Sequence, residues 1–152
     1  MNLLLLATFI LAFITTLLVL FLVYKTAKET KRTQHTGVFV DTSVLIDARI
    51  VTIAKTGFIP GTLIIPRSVI GELQFMADNA DNEKRAKARR GLDVIKELQD
   101  TEAISVEILQ DDNRAREGVD DRLLTLAKER GGYLCTIDYN LNKVAQVEGI
   151  RV

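Results

Sequence analysis

The fold is decided by a short stretch, Val38-Phe39-Val40-Asp41, in which three apolar residues end at an acid. An apolar run of this length, bounded by a polar residue, is typical of a buried strand. The pattern returns at Thr62-Leu63-Ile64-Ile65, which is closed by Pro66. Between the two runs, apolar residues from Ser43 to Lys55 recur at helical spacing. We therefore predict a strand, a helix and a second strand in succession.

The alternation continues to the last residue. Gly57 and the pair Gly131-Gly132 suit the ends of two predicted helices. The remaining predicted elements are helices at 68–77, 82–99, 119–130 and 141–147, and strands at 104–109, 133–136 and 150–152. Alternating strands and helices indicate an α/β domain with a parallel sheet and helices on both faces.

A charge-free apolar segment opens the chain. From Leu3 to Tyr24 it would form a helix about 33 Å long, enough for a bilayer core about 30 Å thick. A signal peptide would need a positive first region, and a core helix would need a polar face, and the segment has neither. We predict one transmembrane helix at 1–24, a basic juxtamembrane linker at 25–36 and an α/β domain at 37–152.

The linker sets the expected orientation. It carries one acid, Glu29, and four cations, which are Lys25, Lys28, Lys31 and Arg32. Positive residues stay on the cytoplasmic side, so we predict a single-pass protein of the cell membrane, with its N-terminus outside and its domain cytoplasmic. The cluster also suits the anionic lipids of the inner leaflet.

Composition excludes several other classes of site. The single cysteine, Cys135, rules out an internal disulfide, and His35, the only histidine, lies in the linker. Ser43 has no base partner, and no Walker A or GxGxxG glycine loop is present. A Ser-His-Asp hydrolase, a His/Cys zinc site and a phosphate-binding glycine loop are therefore disfavoured. The net charge is zero, so the surface as a whole does not attract polyanions, and any nucleic-acid contact must be a local basic patch.

Four acids lie at strand ends or beside them. Asp41 ends the first strand, and Asp138 follows the strand at 133–136. Glu72 lies on the helix after the second strand, and Asp120 opens the helix before the strand at 133–136. Because sites form beyond the carboxyl ends of parallel strands, we expect the four to meet at one edge. Oxygen ligands suit Mg²⁺ or Mn²⁺, which activate water for phosphodiester attack.

Each of these acids also has a purely structural interpretation. Asp41 could cap a helix N-terminus, and Asp138 could form an Asx turn. Asp120 and Asp121 could complement a helix dipole, and Glu72 could be an ordinary exposed helix residue. Their joint placement at strand ends favours the metal site.

The same residues resemble the PIN-domain superfamily, and most of all its membrane-anchored bacterial PIN/TRAM branch. The resemblance covers nearly all of 37–152 and rests on these motifs: Val40-Asp41-Thr42-Ser43-Val44-Leu45-Ile46-Asp47-Ala48-Arg49-Ile50, Gly57-Phe58-Ile59-Pro60-Gly61, Ile65-Pro66, Glu72-Leu73-Gln74, Arg89-Arg90-Gly91-Leu92-Asp93, Val119-Asp120 with Leu123, and Thr136-Ile137-Asp138-Tyr139-Asn140-Leu141-Asn142-Lys143-Val144-Ala145.

The resemblance implies a Rossmann-like domain that cleaves RNA with Mg²⁺ or Mn²⁺. It assigns the catalytic and metal-binding roles to four acids: Asp41, Glu72, Asp120 and Asp138. It suggests accessory roles for four neighbours: Thr42, Ser43, Asp47 and Asp121. The sequence departs from the branch at Ala48, where glycine is usual, and at Ile137, where asparagine is frequent. It also stops at Val152, where the branch normally continues towards a TRAM module, so we expect that module to be absent from this chain.

A basic segment opens the helix predicted at 82–99. We expect four of its cations to form a ridge that grips RNA phosphates: Arg85, Lys87, Arg89 and Arg90. The cations spread around most of the helix and leave no apolar stripe, so this half is predicted to project from the domain. The alternative is a solvated face paired with nearby acids.

The favoured function is a membrane-anchored, divalent-metal-dependent endoribonuclease. Two alternatives use the same fold. One is a membrane scaffold that binds RNA or metal but turns over poorly, and the other is the toxin of a toxin–antitoxin pair. The expected partners are RNA and anionic lipid, and a second copy of the chain is a further candidate.

Overall fold

The computed structural model describes residues 11–22, 37–111 and 118–152. The chain divides into two compact units, Met1–His35 and Thr36–Val152. In the first unit, residues 11–22 form helix α1, whose side chains are exposed. Within the described ranges, no helix is both long and apolar enough to cross a membrane. The segment predicted at 1–24 extends beyond the described residues at both ends, and the linker at 25–36 lies wholly outside them.

The second unit is built on a parallel sheet. Its four strands are β1 (Gly37–Val40), β2 (Thr62–Pro66), β3 (Ser105–Leu109) and β4 (Tyr133–Cys135), in the spatial order β3-β2-β1-β4. Every neighbouring pair is parallel, with Phe39 of β1 facing Ile64 of β2 and Leu134 of β4. All four residues of β1 are buried. The apolar stretch at 38–40 therefore forms a buried strand, as predicted, and this strand lies inside the sheet.

Helices alternate with these strands, which confirms the α/β class. They are α2 (Thr42–Asp47), α3 (Arg49–Lys55), α4 (Arg67–Asn79), α5 (Asn82–Gln99), α6 (Val119–Arg130) and α7 (Tyr139–Val147). The predicted limits of α5 and α6 are confirmed. Helix α5 begins at Asn82 because the Asp81 side chain accepts a hydrogen bond from the Lys84 backbone N–H at 2.9 Å. Helix α6 ends because Gly131 adopts the left-handed conformation, with φ 63°.

The single helix predicted from Ser43 to Lys55 is instead broken at Ala48. This residue has φ 68° and ψ −8°, and it ends α2 and precedes α3. Its N–H still bonds to the Val44 carbonyl at 3.1 Å, so the break costs little hydrogen bonding. The prediction failed because apolar spacing continues through the break, while an alanine carries no sequence signal for a left-handed turn. Ala48 also occupies a position where the resembled branch usually has glycine.

The prediction that the basic half of α5 projects from the domain is wrong. Helix α5 packs against α4 and α2, with Ala88 fully buried and Gly91 buried. A Cβ at Gly91 would lie 2.9 Å from Leu73 Cδ2, so α5 approaches α4 too closely for a larger side chain. The apolar stripe on this half consists of small residues, which a search for large apolar side chains overlooks.

The strand predicted at 150–152 is reduced to one bridge. Arg151 pairs in parallel with Tyr133, and the Leu134 N–H donates to the Arg151 carbonyl at 2.8 Å. The Arg151 guanidinium also lies 4.1 Å from the centroid of the Tyr133 ring. Residues 150–152 therefore lie beside the outer edge of β4 without forming a strand.

The break at Ala48 leads to a stability prediction. We expect Ala48→Gly to raise the free energy of unfolding by about 0.5–1 kcal/mol. Glycine relieves about 1–2 kcal/mol of left-handed strain in the folded state. This gain exceeds the cost of the greater chain entropy that glycine gives the unfolded state, about 0.4–1 kcal/mol. Urea denaturation of the full chain measures the change. The matched control is Ala86→Gly in the exposed interior of α5, which should lower stability by about 1 kcal/mol. Equal destabilisation by both changes would contradict the assignment of strain.

Candidate active site

The carboxylate of Asp41 lies at the carboxyl end of central strand β1 and is 4% exposed. Its Oδ2 accepts a hydrogen bond from Thr136 Oγ1 at 2.8 Å and a second from Ser43 Oγ. Its backbone N–H donates to the Cys135 carbonyl at 3.0 Å. Asp41 precedes α2, but its side chain makes no capping bond to that helix. The capping interpretation of Asp41 is therefore wrong, and its carboxylate is oriented by hydroxyl groups instead.

Glu72 is held by a hydroxyl in the same way. Thr42 Oγ1 donates a hydrogen bond to Glu72 Oε2 and joins the start of α2 to α4. Glu72 is half-buried, so it is not an ordinary exposed helix residue. The two hydroxyls suggested as accessory groups, those of Thr42 and Ser43, thus each orient one acid.

Asp138 has the structural role that the sequence allowed for it. Its Oδ1 accepts hydrogen bonds from the backbone N–H groups of Asn140 at 2.7 Å and Leu141 at 2.9 Å, and it caps α7. This use of one oxygen does not exclude a role in the site, because neither bond involves Oδ2. The Asp138 backbone N–H donates to Thr136 Oγ1 at 2.9 Å.

Thr136 is a site residue that the sequence analysis did not single out. Its hydroxyl donates to Asp41 and accepts from the Asp138 backbone, so it links two of the four acids. A signal was present, since a hydroxyl residue stands two positions before the acid in Thr136-Ile137-Asp138. Burial, and then the nearby Asp41 carboxylate, raise the pKa of the adjacent Cys135 thiol, which keeps that thiol protonated.

Asp120 lies in the first turn of α6 and is electrostatically coupled to the other acids. Partial desolvation raises its pKa above 3.8, and the carboxylates of four other residues raise it further: Asp41, Glu72, Asp138 and Asp121. Burial is the largest cause of this raised pKa, and the neighbouring like charges add to it in the predicted direction. Asp41, Glu72 and Asp138 therefore lie close enough to Asp120 to influence its pKa.

Asp47 stands apart from this group. Its carboxylate bonds to the Arg49 guanidinium, and that side-chain hydrogen bond lowers the pKa of Asp47. Asp47 is also absent from the carboxylates that raise the pKa of Asp120. The structure therefore gives Asp47 an ion pair at the end of α2 rather than a contact with the acids.

A buried acid, Asp111, ties together the helices that carry two of the site acids. Its side chain is 0% exposed, and its Oδ1 accepts from the backbone N–H of Ser68, at the start of α4, at 3.0 Å. Its Oδ2 lies 3.7 Å from Nε of Arg122 on α6. Asp111 therefore holds α4, with Glu72, against α6, with Asp120. Its sequence context reads as loop, so no local pattern indicated this role.

The four cations of the predicted ridge differ in their contacts. Arg85 is half-buried and donates to the Ala80 carbonyl at 3.1 Å, and Lys87 pairs with Glu83 at 2.6 Å. Arg89 and Arg90 are exposed, and neither forms an ion pair with a described residue. Two of the four cations are thus occupied within or beside their own helix.

The donor set suits a hard divalent cation, because carboxylate and hydroxyl oxygens are the ligands that Mg²⁺ and Mn²⁺ prefer. Among the residues that the structure describes, however, no three His, Cys, Asp or Glu side chains are grouped to hold a metal ion. The expectation that the carboxylates lie within a few ångströms of one another is therefore not met. Three of the acids are instead engaged in hydrogen bonds with Thr42, Ser43, Thr136 and the start of α7.

Comparisons with known proteins identify the class. Three uncharacterized PIN and TRAM-domain containing proteins match this chain. YacL of Bacillus subtilis is 45% identical over 112 residues, covering 74% of this chain and 31% of YacL. A Synechocystis protein is 42% identical over 113 residues, covering 74% and 32% of the two chains. A Thermus thermophilus protein is 39% identical over 123 residues, covering 81% and 36%.

A solved structure supports the same assignment. A domain of a functionally unknown protein from Methanocaldococcus jannaschii superposes with a TM-score of 0.64 at 29% identity, covering 76% of this chain and 88% of that one. No family model matches the sequence. Sheet order, strand-end acids and relatives together define an α/β domain of the nuclease-like PIN class. The chain belongs to the PIN-domain superfamily and resembles its PIN/TRAM members.

The chain spans about a third of the length of the curated proteins it matches. PIN domains are generally metal-dependent nucleases, which indicates a nuclease-type function in general terms.

The raised pKa of Asp120 leads to a prediction of pH dependence. Above its raised pKa, Asp120 is charged in the folded state, which disfavours that charge, so folding is less stable. Below the ordinary pKa of 3.8, Asp120 is protonated in both the folded and the unfolded state, and this loss of stability disappears. We therefore expect Asp120→Asn to increase the free energy of unfolding at pH 7 in EDTA. The increase should shrink as the pH falls through the raised pKa towards 3.8. Urea denaturation at several pH values measures it.

The control is Asp121→Asn, which removes a charge from the same helical turn and so loses the same favourable helix-dipole interaction. It should change stability by no more than about 0.5 kcal/mol at any pH. If Asp120→Asn were no more stable than Asp121→Asn at pH 7, the coupling of Asp120 to the other acids would be refuted.

Proposed function

We propose that this protein is a membrane-anchored, divalent-metal-dependent endoribonuclease. The observation that carries the proposal is the buried carboxylate of Asp41 at the end of β1, oriented by two hydroxyls and coupled through Asp120 to Glu72 and Asp138. A carboxylate is rarely buried without a cationic partner, and burying one for structural reasons alone is unfavourable. A functional demand for negative charge at this position accounts for the arrangement.

Four residues would hold the ion: Asp41, Glu72, Asp120 and Asp138. A bound Mg²⁺ or Mn²⁺ would supply Lewis acidity and lower the pKa of water at the site. The protein's own contribution is orientation, since Ser43 and Thr136 fix Asp41 while Thr42 fixes Glu72. Because the acids repel phosphate, RNA must approach them together with positive charge.

The membrane anchor is the part of the proposal that rests on the first unit. Residues 11–22 are helical, apolar except for Thr15 and Thr16, and free of charge. Each threonine hydroxyl bonds back to the Ala12 carbonyl, at 2.9 Å and 2.7 Å, so these polar groups are satisfied without water. With the cations at 25–32, this favours insertion of 1–24 with the domain in the cytoplasm.

One observation favours a second candidate function. No three acids in the described residues are grouped to hold an ion. A PIN domain that binds RNA but turns it over poorly, as a membrane scaffold, would fit that arrangement. The two candidates differ in whether cleavage accompanies binding.

The cleavage prediction separates them. The full chain in mild detergent should cleave an unstructured RNA in Mn²⁺ and not in EDTA. Asp41→Asn should reduce the rate by more than about 100-fold, and Thr136→Val by about 10- to 100-fold, the loss typical of a group that orients a metal ligand. Asp47→Asn, an acid held by Arg49, should stay within about twofold, because surface changes away from a site have small effects. The measurement is gel analysis of labelled RNA.

Two outcomes would count against the proposal. Cleavage by Asp41→Asn at the wild-type rate would assign the activity to a contaminant or to other residues. Binding of RNA by a folded wild-type chain that never cleaves it in Mn²⁺ or Mg²⁺ would favour the scaffold.

The basic ridge of α5 is proposed as an RNA phosphate contact. Arg89 and Arg90 should dominate it, because Arg85 and Lys87 have partners within the protein. Changing Arg89 and Arg90 to glutamine should flatten the slope of log K against log salt by about 1.4, because each of the two lost phosphate contacts contributes about 0.7 on single strands. The matched control changes Arg85 and Lys87 to glutamine and should flatten the slope less.

Fluorescence anisotropy with labelled RNA at several salt concentrations measures both slopes. Mn²⁺ affinity should be the same in all variants, because the ridge is not among the oxygen ligands. A slope unchanged by the Arg89 and Arg90 substitutions would show that the ridge is only a solvated surface.

A further inference from the structure

Three aromatic side chains are exposed in the described residues of the domain: Phe58 at 83%, Phe75 at 68% and Tyr139 at 73%. Two of them neighbour site acids. Tyr139 directly follows Asp138, and Phe75 follows Glu72 by three residues on α4. Residues three apart on a helix are neighbours on its surface. Phe58 lies in the segment before β2, at the opposite end of the strands from the acids.

Tyr139 is held rigidly at its backbone and left open at its ring. It is the first residue of α7, whose start is fixed by the Asp138 cap. The ammonium of Lys143 lies 5.4 Å from its ring centroid, and Ile137 on the other side of Asp138 is 56% exposed. An acid of the site is thus bordered by two exposed apolar side chains and one cation.

Phe75 occupies the corresponding place beside Glu72. The buried residues of α4 include Leu73 and Ala77, and Phe75 points away from them towards solvent. Glu72 is fixed by Thr42 at the start of α2, so the turn that carries Phe75 has a defined position relative to the acids. Phe75 is 68% exposed, so most of its ring is available to a partner in solution.

We propose that Phe75 and Tyr139 stack on two unpaired nucleobases that flank the phosphate presented to the acids, with Lys143 contacting a neighbouring phosphate. This inference rests on the proposed function, and it assigns to Phe75, Tyr139 and Lys143 the task of holding an unpaired strand beside the acids. Every base has a π face, so stacking holds the strand without reading its sequence. In a duplex the base faces are covered by their neighbours, so a helical substrate cannot make these contacts.

Charge supports RNA as the occupant of this surface. A protein partner would need only the apolar rings, whereas the surface places Lys143 over Tyr139, which follows Asp138, and Thr136 links Asp138 to the buried Asp41 carboxylate. A cation at that position offsets the repulsion between the acids and a phosphate backbone. The surface is also continuous with the candidate active site, because Asp138 lies between Ile137 and Tyr139 in the chain.

The test measures binding apart from cleavage. The full chain in mild detergent is titrated into an unstructured RNA of roughly ten nucleotides, within the usual site size, with Ca²⁺ in place of Mn²⁺. Phe75→Ala and Tyr139→Ala should each weaken binding about tenfold, the effect of losing one stacked base. Tyr139→Phe keeps the ring and should stay within about twofold, as should Phe58→Ala, an equally exposed aromatic at the other end of the strands.

Two further readouts report the contact itself. A 2-aminopurine base placed within this RNA should lose fluorescence when the wild type binds, because the base stacks on an aromatic ring. Binding of Tyr139→Ala should cause a smaller loss of fluorescence. Lys143→Gln should flatten the salt slope by about 0.7, the contribution of one phosphate on a single strand. Duplex RNA of the same sequence should bind more weakly, with no sensitivity to either aromatic substitution.

The outcomes separate this inference from the proposed function. If the wild type cleaves no RNA but the aromatic substitutions weaken single-strand binding, the nuclease proposal fails and the stacking surface stands. If the wild type cleaves RNA while Phe75→Ala and Tyr139→Ala bind it with wild-type affinity, the stacking surface is refuted. Loss of self-association in those variants, with RNA affinity unchanged, would likewise refute it and assign the rings to a protein interface.

Discussion

The structure depends on the burial of one carboxylate, that of Asp41, at the end of the central strand. Without hydrogen-bond partners, this charge would cost several kcal/mol in an apolar setting, roughly the whole stability of a small domain. Ser43 on α2 and Thr136 after β4 supply hydroxyl donors to this carboxylate, and Thr42 supplies one to Glu72. The start of α2 and the end of β4 are therefore fixed by the same charge that makes the site acidic.

Much of this arrangement could be predicted from the sequence because it is local. The apolar run at 38–40 specifies a buried strand, and Asp81 and Gly131 mark the limits of α5 and α6. Parallel topology then places Asp41 and Asp138, which follow neighbouring strands, at one edge of the sheet. What could not be predicted depends on contacts between distant residues. Asp111 meets Ser68 and Arg122 only after folding.

Two failures have a common cause, which is that small residues carry weak sequence signals. Ala48 adopts a left-handed conformation, which a glycine at this position would have indicated in the sequence. The single helix predicted here is therefore two helices in the structure. Ala88 and Gly91 bury a face of α5 that seemed to have no apolar stripe. In both places the backbone geometry, rather than the burial of a large side chain, decides the structure.

The most direct test of the account is binding of Mn²⁺ by the full chain, because the nuclease proposal assumes that the acids form a divalent-cation site. Isothermal titration calorimetry should show saturable binding that Asp41→Asn weakens at least about tenfold, the lower range for losing a group that supports a metal site. Asp47→Asn, whose acid pairs with Arg49, should bind as the wild type does. Absence of saturable Mn²⁺ binding to the folded wild type, or equal affinity in Asp41→Asn, would contradict the account.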